Sequence, residues 1–267
     1  MANSQGITVL LNIFFSTVVN AARGIATTVS NQVSGFVMNF QTAATPQIMK
    51  YYATGEYEQM NKLVSNTAKY SSYLLILIGL PVFIETEFLI RLWLGNVPEY
   101  VVPFVRITLV ELFFRAVDFP IGTGIHAFGR MKLPNITSSL AYLSVLPLTY
   151  IFLHFGASPI VAYIVACVSF PLAMACDLWI LNKFSGFNIR LYLLNVPLKS
   201  LALIGAAAVV PTITHNILAP GWINFLLSVV LCVSISSALI FFFGLSMDMR
   251  QKVLAKVKTI LQIHFHG

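Results

Sequence analysis

Runs of about 20 apolar residues recur along the chain, parted by short connectors rich in Gly, Pro and Asn such as "WLGNVPEY", "FGRMKLPN", "HFGASP" and "ILAPGW". A helix of that length crosses a hydrocarbon core about 30 Å thick, and connectors of this composition end helices. The pattern predicts spans at 4–20, 22–46, 64–90, 101–127, 133–155, 158–182, 197–218 and 221–244. Stretches such as "LKSLALIGAAAVVPTI" and "INFLLSVVLCVSISSALIFFF" are continuously apolar, which excludes the short alternating strands of an outer-membrane barrel. The expected fold class is therefore all-α, a polytopic membrane bundle of about eight helices. Composition agrees: 58% of the 267 residues are hydrophobic and only 9% charged, too few charges to cover a soluble surface.

Two predicted spans break the pattern. The second, "NAARGIATTVSNQVSGFVMNFQTAATP", carries Asn20, Arg23, Thr27, Thr28, Ser30, Asn31, Gln32, Ser34, Asn39 and Gln41, too many polar groups for a helix that faces lipid. Arg23 and Asn31 lie about 80° apart around that helix, on one broad face. In the fourth, "RITLVELFFRAVDF" places Arg106, Glu111, Arg115 and Asp118 at membrane depth. At 100° per residue Glu111, Arg115 and Asp118 share an arc of about 60°, with His126 returning to it, while Arg106 points well away. The spacing lets both carboxylates flank Arg115. Each charge at the bilayer centre costs roughly 2.5–3.5 kcal/mol on insertion scales, so this face must meet protein or water.

Two expectations follow. Either the trio clamps helices together as an internal ion-pair set, or it walls a wet cavity. In the second case Arg23, Asn31, Arg106 and Arg115 bind an anionic substrate, Glu111 and Asp118 take up a coupling ion, and Pro120, Gly122 and Gly124 bend the helix beside them. Arg106, near a helix end, can instead snorkel to the headgroups. Asp177 is expected to pair with Lys183 or to sit in the interface.

The net charge of +7 is a topology signal and gives no reason to expect nucleic acid binding. Lys50 and Lys62, then Arg130 and Lys132, then Lys183, Arg190 and Lys199, and finally Arg250, Lys252, Lys256 and Lys258 fall in alternate connectors. The opposite connectors hold only Arg91, beside Glu85 and Glu87. An excess of Lys and Arg marks the cytoplasmic side, so the C-terminus is expected there. "TGEYEQMNKLVSNTAKY" is expected to form a short cytoplasmic surface helix before the third span. The tail "SMDMRQKVLAKVKTILQIHF" stacks Val253, Val257, Ile260, Leu261 and His264 on one arc, suited to an anionic inner leaflet.

Cys167, Cys176 and Cys232 lie inside apolar runs, without disulfide or metal spacing. No phosphate-cradling glycine loop, HExxH or nucleophile with a base at readable spacing is present, and His264 and His266 resemble a metal pair only superficially. The expectation is a non-enzyme without cofactor or metal.

The stretch "LLNIFFSTVVNAARGIATTVSNQVSGFVMNFQTAATPQIMKYYATGEYEQMNKLV", followed by "LIGLPVFIETEFLIRLWLGNVPEYVVPFVRI", resembles the C-terminal half of the polysaccharide flippases. These are the O-antigen and capsule repeat-unit translocases of the multidrug/oligosaccharidyl-lipid/polysaccharide exporter superfamily. The resemblance implies one lobe of a two-lobed bundle around a central cavity in the bacterial inner membrane. It further implies movement of an undecaprenyl-diphosphate-linked oligosaccharide by alternating access, with Arg23 and Arg115 facing the diphosphate and acidic sugars. On this basis 1–182 is the transport bundle, 183–245 two additional membrane helices and 246–267 the cytoplasmic tail. Family chains are about twice as long, so the chain is expected to be a truncated or separately encoded half that needs an N-terminal lobe or a self-complementary dimer. The alternatives are a drug or cation antiporter of the same superfamily, whose cavity should favour carboxylates, and a non-transporting scaffold of a polysaccharide assembly complex.

Overall fold

The computed structural model describes residues 2–129, 132–219 and 221–255. Arg130 and the tail positions Lys256, Val257, Lys258, Ile260, Leu261, His264 and His266 lie outside them. Within them the order is α1 (Ala2–Phe14), α2 (Thr17–Ala53), α3 (Tyr57–Ile84), α4 (Thr86–Leu94), α5 (Val101–Ala127), α6 (Lys132–His154), α7 (Ile160–Ser185), α8 (Ile189–Asn195), α9 (Pro197–Ile217) and α10 (Trp222–Leu239). A π-helical turn, Ile240–Gly244, extends the last helix. The all-α expectation holds, with no strand among the described residues.

Five stretches are long and apolar enough to cross a membrane: Tyr57–Ile84, Pro134–His154, Ile160–Ser185, Ile189–Ile217 and Trp222–Gly244. α2 and α5 are also long, at 37 and 27 residues, but their polar groups keep them out of that apolar set. The eight expected spans thus become five apolar helices and two polar ones, with α1 too short to cross. The first expected boundary moves from residue 21 to Ser16, where extended backbone parts α1 from α2. Side chains of α2 close this elbow: Asn20 donates to Asn12, and Arg23 Nη1 donates to Thr8 Oγ1 at 2.8 Å.

The segment expected as a separate surface helix is instead the first turns of α3, which run unbroken into the span. Met60, Val64, Ala68 and Ser71 continue one buried stripe at helical spacing, and no Gly or Pro interrupts it before Gly79. α3 stops at Ile84, short of the expected residue 90, and α4 turns away with Leu92 and Trp93 exposed.

One hydrophobic core joins α2, α3, α5 and α7, and a second, smaller one joins α3 to α9 and α10 through Tyr73, Ile76, Leu80, Leu203 and Cys232. Ser72 and Ser200 share a hydrogen bond of 2.7 Å across that second seam, and Tyr73 donates to the Gly244 carbonyl at 3.2 Å.

Ring contacts fix the helix directions. Tyr52 of α2, Tyr57 of α3, Phe128 after α5 and Phe184 of α7 cluster at one end of the bundle. Phe104 of α5 stacks on Tyr163 of α7 at the other end, where Phe88 of α4 also meets Trp222 and Phe225 of α10. The helices therefore alternate. Lys50, Lys62, Lys183 and Arg190 gather at the first end, and Glu85, Glu87 and Glu99 at the second.

Candidate functional site

α2 and α5 pack along each other, and a peculiarity of α5 sets their register. Pro120 has no amide hydrogen, so the Ala116 carbonyl four residues earlier loses its helical partner. Gln41 Nε2, buried in α2, donates to that carbonyl at 2.7 Å. On the next residue, Val117, the carbonyl accepts from the Tyr192 hydroxyl of α8 at 2.5 Å. α5 is one continuous helix through Pro120, Gly122 and Gly124.

Beside this seam lies a cleft of about 1080 Å³, walled chiefly by α2, α5, α6 and α7. Arg23, Asn31, Glu111, Arg115 and Asp118 all line it. Arg106 does not. Its Nε donates to the Phe83 carbonyl at 3.2 Å and its guanidinium lies 5.6 Å from the centre of the Phe83 ring. Arg106 therefore caps the last turn of α3, where carbonyls lack helical partners and a cation is favoured. His126 is exposed near the end of α5 and is also absent from the cleft wall.

Within the cleft the trio divides. Arg115 Nη2 pairs with Glu111 Oε1 at 2.6 Å, with the arginine side chain 58% exposed and the glutamate 14%. The guanidinium also lies 4.8 Å from the centre of the Phe170 ring on α7. Asp118 does not flank Arg115 as the spacing suggested. Its Oδ1 is buried without a hydrogen bond and the carboxylate lies within electrostatic reach of Asp177 on α7, whose Oδ1 is likewise unbonded. Asp177 does not pair with Lys183, whose ammonium sits 5.2 Å from the Trp179 ring centre. Arg23 is engaged with Thr8 and lies within electrostatic reach of Tyr163 and Glu111. Two guanidiniums and two carboxylates among the lining residues make the wall mixed in charge rather than uniformly basic.

Sequence reasoning missed the α6 and α7 side of the cleft. Tyr163 and Phe170 are spaced by seven and so fall on one helical face, the signal that could have found them. Tyr142 of α6 stands with its ring 5.4 Å from Phe170, and its hydroxyl lies within electrostatic reach of Asp118, Arg115, Asp177 and Glu111. Cys167, Cys176 and Cys232 are free thiols; Cys232 is a buried core side chain as expected, whereas Cys167 and Cys176 are only half-buried. Among the described residues no group of three or more His, Cys, Asp or Glu could hold a metal ion.

Comparison with curated proteins and with solved structures returned no match. A family match covers residues 4–151, more than half of the chain, from α1 through nearly all of α6, and takes in the α2 and α5 walls of the cleft. The chain belongs to the MatE family of membrane transporters.

Proposed function

We propose that the chain carries the cleft-bearing part of a flippase for an undecaprenyl-diphosphate-linked oligosaccharide in surface polysaccharide biosynthesis. One observation carries this reading: Arg115, held by Glu111 yet more than half exposed, projects into a cleft of about 1080 Å³ at membrane depth. A guanidinium kept there at such cost suits a ligand with oxyanions, which it binds through charge-assisted hydrogen bonds. In this reading the ligand is moved and left unchanged.

Glu111 and Asp118 are the carboxylates we assign to ion coupling. Of the two, Asp118 is better placed, because Glu111 is committed to Arg115 whereas Asp118 and Asp177 carry unbonded oxygens. The exposed polar groups of α2, Thr27, Thr28, Asn31 and Gln32, need protein or water beside them at this depth, and a facing lobe or a second copy of the chain would supply it.

Arg115→Ala in a strain that depends on this protein is expected to stop surface polysaccharide display. Normal display at normal protein level would overturn the assignment. Arg115 tests the reading more cleanly than Arg23, whose loss would also open the α1–α2 elbow.

The unbonded carboxylate oxygens of Asp118 and Asp177 favour a second reading, an antiporter of drugs or other organic cations. That reading predicts that Arg115→Ala leaves transport intact while Asp118→Asn abolishes it, with efflux of ethidium from loaded vesicles as the measurement.

A further inference from the structure

Arg115 is the most exposed charge on the cleft wall, and its surroundings do more than balance it. Glu111 holds one edge of the guanidinium at 2.6 Å, and Phe170 lies beneath its face at 4.8 Å. Phe170 is itself only 8% exposed, so it is fixed by packing and serves as a rigid floor. The remaining edge of the guanidinium is left toward the cleft, where planar donors match a carboxylate. Tyr142 stands next to this floor, tilted 58° to Phe170, half-buried and lining the same cleft. A rigid aromatic ring beside a fixed hydrogen-bonding cation matches a sugar, which has an apolar C–H face and polar edges.

We propose that Arg115, Tyr142 and Phe170 form a subsite for one pyranose residue bearing a carboxylate. Arg115 binds the carboxylate, the Tyr142 ring packs against the sugar's C–H face, and Phe170 is a positioning residue that keeps the guanidinium planar to the cleft. The inference rests on the oligosaccharide reading above; it narrows the acidic sugars implied by the resemblance to one carboxylate-bearing pyranose and adds two residues that sequence spacing did not single out. Asp118 and Asp177, whose Oδ1 atoms are unbonded, are left for the coupling ion.

The test titrates the whole chain in lipid nanodiscs with three probes: a tetrasaccharide alternating glucuronate with N-acetylglucosamine, the neutral chitotetraose, and ethidium. Affinity is read by calorimetry, and contacts by saturation transfer from the protein's aromatic protons to the sugar. The glucuronate probe is expected to bind about tenfold more tightly than chitotetraose, with strong transfer to its ring protons. Arg115→Ala removes that preference. Tyr142→Ala weakens both sugars and erases the ring-proton transfer, while Tyr142→Phe, which keeps the ring, restores both. Phe170→Leu keeps the apolar volume but removes the π floor, and weakens the glucuronate probe alone by a few-fold. Circular dichroism and elution volume identify any variant that fails to fold, and Tyr142→Phe and Phe170→Leu are conservative enough to carry the result if the alanines fail. Equal binding of the two sugars, untouched by Tyr142→Ala, overturns the subsite and leaves the flippase reading standing. No binding of the glucuronate probe overturns the subsite as well. Binding of ethidium with neither sugar bound overturns the oligosaccharide reading itself.

Discussion

The contact between Gln41 and the Ala116 carbonyl shows how one residue's chemistry dictates another's across 75 positions of chain. Pro120 creates the orphan acceptor, and a buried acceptor left unmet costs about 1–3 kcal/mol. Gln41→Leu is expected to destabilise the protein by that amount, read as a lowered midpoint of thermal unfolding in detergent. In a Pro120→Ala background the helix regains its own amide at position 120, so the same Gln41→Leu change should cost clearly less; equal cost in both backgrounds would refute the pairing. The sequence displays both halves of this contact, a glutamine on a polar stripe and a proline inside a charged span, but nothing in local spacing says that they meet. The same limit explains the site. Glu111 and Arg115 are four residues apart on one helix, so their pairing was legible, whereas Asp118 turning to Asp177 depends on how α5 and α7 pack. Arg106 was assigned to the cleft by its residue type, although its helical angle already pointed away from Arg115.

At the scale of elements, apolar run length and Gly/Pro punctuation located most of the helices. They failed where a helix end is made by tertiary contact. α1 ends at Phe14 because polar side chains of α2 fold back on it, and α3 keeps its mixed-charge first turns because their buried stripe continues into the span. A similar contact secures α9 and α10, which lie beyond the family match, to α3. Glu85, 2% exposed at the end of α3, meets His215 Nδ1 at 2.9 Å, and Asn224 of α10 donates to the His215 carbonyl at 3.1 Å. Removing one partner of a buried hydrogen bond costs more than the bond contributes, because the Glu85 carboxylate is left without compensation. His215→Leu is therefore expected to loosen the α9–α10 hairpin, with its amides exchanging hydrogen roughly tenfold or more faster while α2 and α5 stay protected. Uniform exchange across all helices, or no change in the hairpin, would show that Glu85 and His215 do not hold it.

At the scale of the molecule, the alternation of helices turns a scatter of charges into a polarity. Basic residues that are far apart in sequence collect at the end marked by Tyr52, Tyr57, Phe128 and Phe184, and the opposite end carries Glu85, Glu87 and Glu99 with Arg91 already paired to Glu87 at 2.7 Å. The bundle fixes which connectors share a side, and the distribution of Lys and Arg adds the direction, since connectors rich in them are retained in the cytoplasm. The proposal is thus that the Tyr57 end faces the cytoplasm and the Trp93 end faces outward. It also fits a flippase, whose substrate would be loaded from the cytoplasmic leaflet. Glu58 and Asn96 are exposed at the two ends, so each can report by a single cysteine once Cys167, Cys176 and Cys232 are replaced by alanine. A membrane-impermeant maleimide should label Asn96→Cys in intact cells and Glu58→Cys only after the membrane is opened. Labelling of Glu58→Cys from outside, or of both positions alike, would mean that the basic end does not face the cytoplasm, and the direction of transport argued from it would have to be reversed.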